Sequence, residues 1–171
     1  MNIRLIPAPL FIEFEEDNDN QEFKDEYAKL GAEIDDPVGQ YIKMAKARGE
    51  TRDTDKVVME LVVALHRKVD ELTKLIKNEE KELIELKHTA KITHIGFEHF
   101  KIKEKLFTPN QKYYGRLNIA FFPQREVPLY FIAIDEQTAE ILIMHDRDIK
   151  DYNAFITARE RAIIREQKGM K

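Results

Sequence analysis

The sequence predicts an α+β protein: a small antiparallel β-barrel with a C-terminal helix, preceded by a long heptad helix and short N-terminal helices. Three observations carry that prediction. Val58, Val62, Leu65, Val69, Leu72, Ile76, Leu83 and Leu86 recur at alternating steps of four and three, the spacing of a helical seam. After Lys87 the apolar period falls from 3.6 to 2, the signature of strands with one buried face. From Asp148 or Asp151 to Gln167 helical spacing returns, with Phe155, Ala158, Ala162 and Ile163 on one face. The expected organisation is an N-terminal arm with short helices over 1–55, a coiled-coil helix over 56–87, and a barrel with its closing helix over 88–171.

Taken in order, residues 1–20 read as an extended segment, because Pro7 and Pro9 disfavour helix and FIEFEEDNDN turns abruptly acidic. Two readings stand for it: an added strand docked through Leu5, Ile6, Leu10, Phe11, Ile12 and Phe14, or a tail without fixed structure. Gln21–Leu30 and Val38–Ala47 read as short helices, the second introduced by Asp35-Asp36-Pro37 and stopped by Gly49. Residues 50–55 link to the long helix, with Asp53 or Thr54 as its expected cap.

From Lys56 to Lys87 there is neither Gly nor Pro. At 1.5 Å rise per residue, a helix of that length would run roughly 45–50 Å, too long for one small domain to bury. Val62, Val69, Ile76 and Leu83 take the first core position of the heptad, and Val58, Leu65, Leu72, Glu79 and Leu86 the second. β-Branched residues at the first with Leu at the second favour a parallel pair of helices. Met59, Leu61 and Leu75 widen the stripe, which suits three or four helices or docking on the chain's own domain. Glu79 would set register or mark where the helices splay. Self-association as a homodimer or homotetramer is therefore the expectation.

Strands are expected on both sides of Gly96 and at Tyr113–Phe121, Val127–Ile134 and Ala139–Met144. Thr108-Pro109-Asn110, Phe122-Pro123-Gln124-Arg125 and Asp135-Glu136-Gln137 supply the turns between them. Half of the aromatics Tyr113, Tyr114, Phe121, Phe122, Tyr130 and Phe131 should fill the barrel; the rest, with Arg116 and Arg125, would form a patch suited to protein binding.

Composition limits the chemistry. The 171 residues carry 28 basic and 32 acidic side chains, a net charge of −4, which gives no field that would recruit nucleic acid. The chain has no Cys, hence no disulfide or thiolate, in keeping with a reducing cytoplasm. It has no Ser, which excludes a serine nucleophile, and no phosphate-cradling glycine loop. No apolar run approaches the ~20 residues of a membrane span, and the first residues lack the order of a signal peptide. The five histidines, including His94 and His99, read as structural, because no Cys and no carboxylate pair completes a metal shell. Neither an enzyme nor a cofactor is expected.

The strand order and the segment Thr93-His94-Ile95-Gly96 resemble the PilZ domain over roughly residues 84–167. That family carries an Asp/Asn-x-Ser-x-x-Gly motif at such a turn, and Lys91, Thr93 and Gly96 stand at its three marked positions. Its second motif, Arg-x-x-x-Arg, has literal matches at Arg48–Arg52 and Arg161–Arg165, neither immediately before the sheet. The family's usual ligand is cyclic di-GMP, but Lys91 replaces the acidic residue, so the resemblance implies a degenerate, non-binding branch in which heptad helices assemble several barrels. It implies a cytoplasmic adaptor that holds a protein partner, of the flagellar or type IV pilus machinery. The alternative it leaves is a cyclic di-GMP receptor whose site spans a subunit boundary, using Arg48 and Arg52 of a neighbouring chain.

Overall fold

The structure, a computed structural model, describes residues 3–32, 37–76, 83–119 and 125–169. The chain divides into two compact units, Met1–Gly31 with Ile84–Lys171, and Ala32–Leu83. The helical unit is thus inserted into the barrel unit rather than placed before it.

The first unit is a closed antiparallel barrel in the order β1-β2-β3-β6-β5-β4. Its strands are β1 (Ile6–Glu16), β2 (His88–Ile95), β3 (His99–Ile102), β4 (Lys112–Ile119), β5 (Arg125–Ala133) and β6 (Thr138–Met144). Of the two readings of residues 1–20, the strand is the one observed, and β1 is integral: it pairs with β2 on one side and β4 on the other. Alternation explains why. Ala8, Leu10, Ile12 and Phe14 point inward and are buried, while the residues between them face outward. Pro9 is tolerated because the register with β2 shifts between Pro7 and Leu10, where no ladder donor is needed.

The interior is filled by aliphatic and aromatic side chains. Phe14, Phe100, Phe107, Tyr113 and Phe131 pack mutually, with ring centroids 5.1–6.2 Å apart in edge and stacked arrangements. Gly115 leaves the room this needs: a Cβ there would lie 2.9 Å from the Glu13 carbonyl oxygen and 3.1 Å from Phe131. Asn110, at φ 66°, turns the chain into β4 where the Thr-Pro-Asn turn is expected.

Two helices complete this unit. α1 (Gln21–Gly31) is capped by Asn20, whose Oδ1 accepts from the Glu22 amide at 2.9 Å, and lies against β5. The closing helix, α4 (Asp146–Gly169), begins earlier than expected, and its inward face is a correction. Tyr152 and Ile156 are buried in the core with Phe155 packed beside them, whereas Ala158 is exposed. The Tyr152 hydroxyl selects this face by donating to the Gly96 carbonyl at 2.9 Å.

The second unit holds α2 (Pro37–Ala47) and α3 (Lys56–Ile76), which contact each other. α2 ends in a Schellman turn: Gly49 at φ 74° lets its amide reach the Lys46 carbonyl at 3.0 Å and the Glu50 amide reach that of Ala45 at 3.0 Å. The cap of α3 is Asp55, not Asp53 or Thr54; its Oδ1 accepts from the amides of Val57 at 2.9 Å and Val58 at 3.2 Å. The long heptad helix expected through Lys87 is not seen. α3 is described over Lys56–Ile76, residues 77–82 with Glu79 lie outside the described residues, and residues 83–86 are not helical. Leu86 belongs to the barrel unit, buried with Phe23 and Tyr114, which withdraws it from the seam.

Candidate interaction site

The apolar seam is the largest surface the sequence singled out, and α3 keeps most of it. At 1.5 Å per residue its 21 residues span about 31 Å. Val58, Val62, Leu65, Val69 and Leu72 are each 51–64% exposed and Ile76 82%. Leu61 at 52% and Leu75 at 49% extend the stripe on one side. The better covered residues of the helix, Met59, Val63, Ala64 and His66, lie away from the seam at 100° per residue. Ala45 of α2 and Ala64 of α3 are both buried, and the two helices contact each other while the seam stays exposed. Leu83, 40% exposed, lies outside any helix.

A second constellation, which sequence reasoning missed, joins the two ends of the insertion on the outer face of β4. Glu26 of α1 is buried and gathers three donors. Its Oε1 accepts from the Tyr114 hydroxyl at 2.8 Å and from Arg116 Nη1 at 2.7 Å, and its Oε2 from the Ile84 amide at 2.7 Å. Arg116 Nη2 donates to Glu13 Oε2 at 2.7 Å. Burial works against the Arg116 charge, yet the hydrogen bonds from Glu26 and Glu13 outweigh it and raise its pKa. Burial, then the Glu26 hydrogen bond, raises the Tyr114 hydroxyl above its ordinary range. The only signal in the sequence was a charged residue, Arg116, inside an apolar strand.

This arrangement corrects the expected aromatic–Arg patch. Tyr113 and Phe131 lie in the core; Tyr114 lies under α1, stacked on Phe23 at 5.0 Å, and Arg116 is only 3% exposed. Tyr130 is half-buried beside Tyr27, and burial pushes its hydroxyl up to about 12. Phe121 and Phe122 lie outside the described residues, as does the side chain of Arg125. The reason is α1: an amphipathic helix needs an apolar bed, and the outer face of β4 and β5 supplies it.

The three motif positions are engaged differently. Lys91 is exposed on the outer face of β2. Thr93 sits where the β2–β3 register shifts, and its hydroxyl donates to the Lys101 carbonyl at 3.3 Å. Gly96 is buried at the strand turn; its amide donates to the His99 carbonyl at 2.7 Å, and a Cβ would lie 2.5 Å from the Arg4 carbonyl oxygen. Arg48 and Arg52 belong to the helical unit, where Arg48 pairs with Glu50 at 3.7 Å.

His145 stacks on Tyr27 with centroids 3.9 Å apart, its Nε2 2.8 Å from the Tyr27 carbonyl oxygen, and Gly31 packs against the imidazole. Arg147 donates to the Leu30 carbonyl at 3.3 Å, so both residues tie down the end of α1. A shallow depression of about 190 Å³ is lined by Glu15, Glu16, Asn18, Lys87 and His88, with Lys87 paired to Glu15 at 3.3 Å. Among the described residues no three His, Asp or Glu side chains gather as a metal site, and no helix is long and apolar enough to cross a membrane. No protein-family model, curated protein or solved structure matches this chain.

Proposed function

We propose that this chain is a non-catalytic, self-associating scaffold that presents its barrel to a protein partner. The observation that supports it is the exposed α3 seam, in which six core-position residues are each more than half exposed. Fully burying a Val, Leu or Ile contributes about 1.5–3 kcal/mol, so covering six from 50–80% exposure is worth on the order of 5–10 kcal/mol, comparable with the lower range of association costs. A second copy is the occupant that the heptad spacing suits, as a dimer or, using Leu61 and Leu75, a tetramer. Carrying several barrels raises effective concentration at a multivalent partner without any new contact. The PilZ resemblance points to bacterial flagellar or type IV pilus machinery as the setting, and to the cytoplasm.

Light scattering coupled to gel filtration, with and without cyclic di-GMP, tests the reading. A dimer or tetramer indifferent to the dinucleotide is expected. A monomeric wild-type protein would remove the scaffold, and a mass that shifts with ligand would favour the receptor built from Arg48 and Arg52 of a neighbouring chain.

A further inference from the structure

We propose that the outer face of β2 and β3 is a docking surface for an acidic, extended segment of a partner protein, held by Lys91, Lys101 and Lys103 beside Phe11. The inference rests on the scaffold reading and names the part of the barrel that meets the partner.

The register places the charges. The Lys103 amide donates to the Lys91 carbonyl at 2.9 Å, so Lys103, the residue that follows β3, stands across from Lys91 of β2. Their neighbours Ile92 and Ile102 are paired and fully buried, which turns Lys91 and Lys103 outward. The next outward layer pairs His94 with Lys101. Two lysines directly across a strand pair repel one another, so this pairing costs stability in the free protein. Lysines on either side are neutralised, Lys87 by Glu15 at 3.3 Å and Lys105 by Glu136 at 3.4 Å. Among the described residues, Lys91, Lys101 and Lys103 have no ion pair. Glu140 stands opposite His99, and the Asp135 carboxylate, which feels the Lys101 charge, accepts from the Gln137 and Thr138 amides. A cationic strip without an ion pair, in a chain of net charge −4, is complementary to an anion from outside.

The strip also restricts the anion's class. Lys101 and Lys103 are two residues apart on one face, about 6.6 Å, which matches alternate side chains of an extended chain. Phe11, 57% exposed, lies across from Lys91 on the other flank and offers one apolar contact. Lysines are point charges without the fork that reads phosphate in two places, and a single aromatic gives no row for stacking bases. A glutamate- or aspartate-rich peptide with an apolar residue suits this face better than nucleic acid.

The test is fluorescence anisotropy of a labelled glutamate-rich peptide against the full chain, the charge-reversed Lys91→Glu/Lys101→Glu/Lys103→Glu variant and the milder Gln triple, each checked for fold by circular dichroism. Wild type should bind, and charge reversal should weaken binding at least about tenfold, as should raising salt from about 50 to about 200 mM. Absence of binding, binding by the charge-reversed variant as tight as that of wild type, or displacement of the peptide by an oligonucleotide or by cyclic di-GMP would overturn the assignment. The oligomeric state separates this from the scaffold reading: if wild type is monomeric by light scattering yet binds the peptide, the docking face stands and the scaffold does not.

Discussion

Arg116 is the residue that ties β1, α1 and β4 of the barrel unit together. It lies in an apolar strand with its guanidinium shared between Glu13 and Glu26, while Glu26 also holds the Ile84 amide where the chain returns to the barrel. Removing one member of a buried pair leaves an uncompensated charge. Arg116→Met is therefore expected to lower stability by about 3–5 kcal/mol in urea unfolding, and a loss below about 1 kcal/mol would mean the carboxylates regain water. Glu126 gives a pH prediction. Burial raises its pKa despite opposing attraction from Arg116, so the folded state holds its proton longer than the unfolded chain. Its contribution is present below the ordinary carboxylate pKa and is lost as pH rises from there through the folded value. Glu126→Gln should gain stability relative to wild type between about pH 4 and about pH 7. A constant difference between the two proteins across that window would contradict the assignment.

The elements show which features were legible in sequence. Both strands around Gly96 and the starts of the next three were placed within a residue or two by their period of two, which β3 keeps throughout, whereas residues 113–117 of β4 are buried on both faces. The Gly96 turn was legible, but its reason was not. The glycine is required because the start of β1 crosses it and Tyr152 closes on its carbonyl, contacts between residues distant in sequence. Gly96→Ala should cost about 1–3 kcal/mol, and amide exchange should accelerate at the start of β1 before other strands. Unchanged protection of Ile6 would refute the close approach as the glycine's purpose. The face of α4 was misassigned for a similar reason: helical spacing identified a stripe of Phe155, Ala158, Ala162 and Ile163, whereas packing on the barrel core buried Tyr152 and Ile156, with only Phe155 of that stripe beside them.

In the whole molecule, the seam lies on the helical unit and the barrel is a compact unit of its own, so the seam should be separable from the fold. Leu65→Glu/Leu72→Glu is expected to reduce the solution mass to that of a monomer while leaving amide protection at Ile92, Ile102 and Phe131 within about twofold of wild type. A variant that stays oligomeric would move self-association to another surface. Collapse of the barrel signals would mean that assembly stabilises the barrel as well.

The sequence by itself determined the α+β class, the order of the strands after residue 87 and of the closing helix, the apolar heptad positions of α3 and the absence of cysteine and serine chemistry. Those depend on local periodicity and on which atoms the chain possesses. Tertiary structure alone decided that residues 6–16 close the barrel, that Leu86 leaves the seam for Phe23 and Tyr114, and that Glu26 pairs with Arg116. It also set Lys91 across from Lys103. The first three are pairings between segments far apart in the chain, and the last depends on the register of one hairpin. The partner that wins such a pairing depends on which backbone donors, apolar faces and charges remain unsatisfied once every strand has been placed.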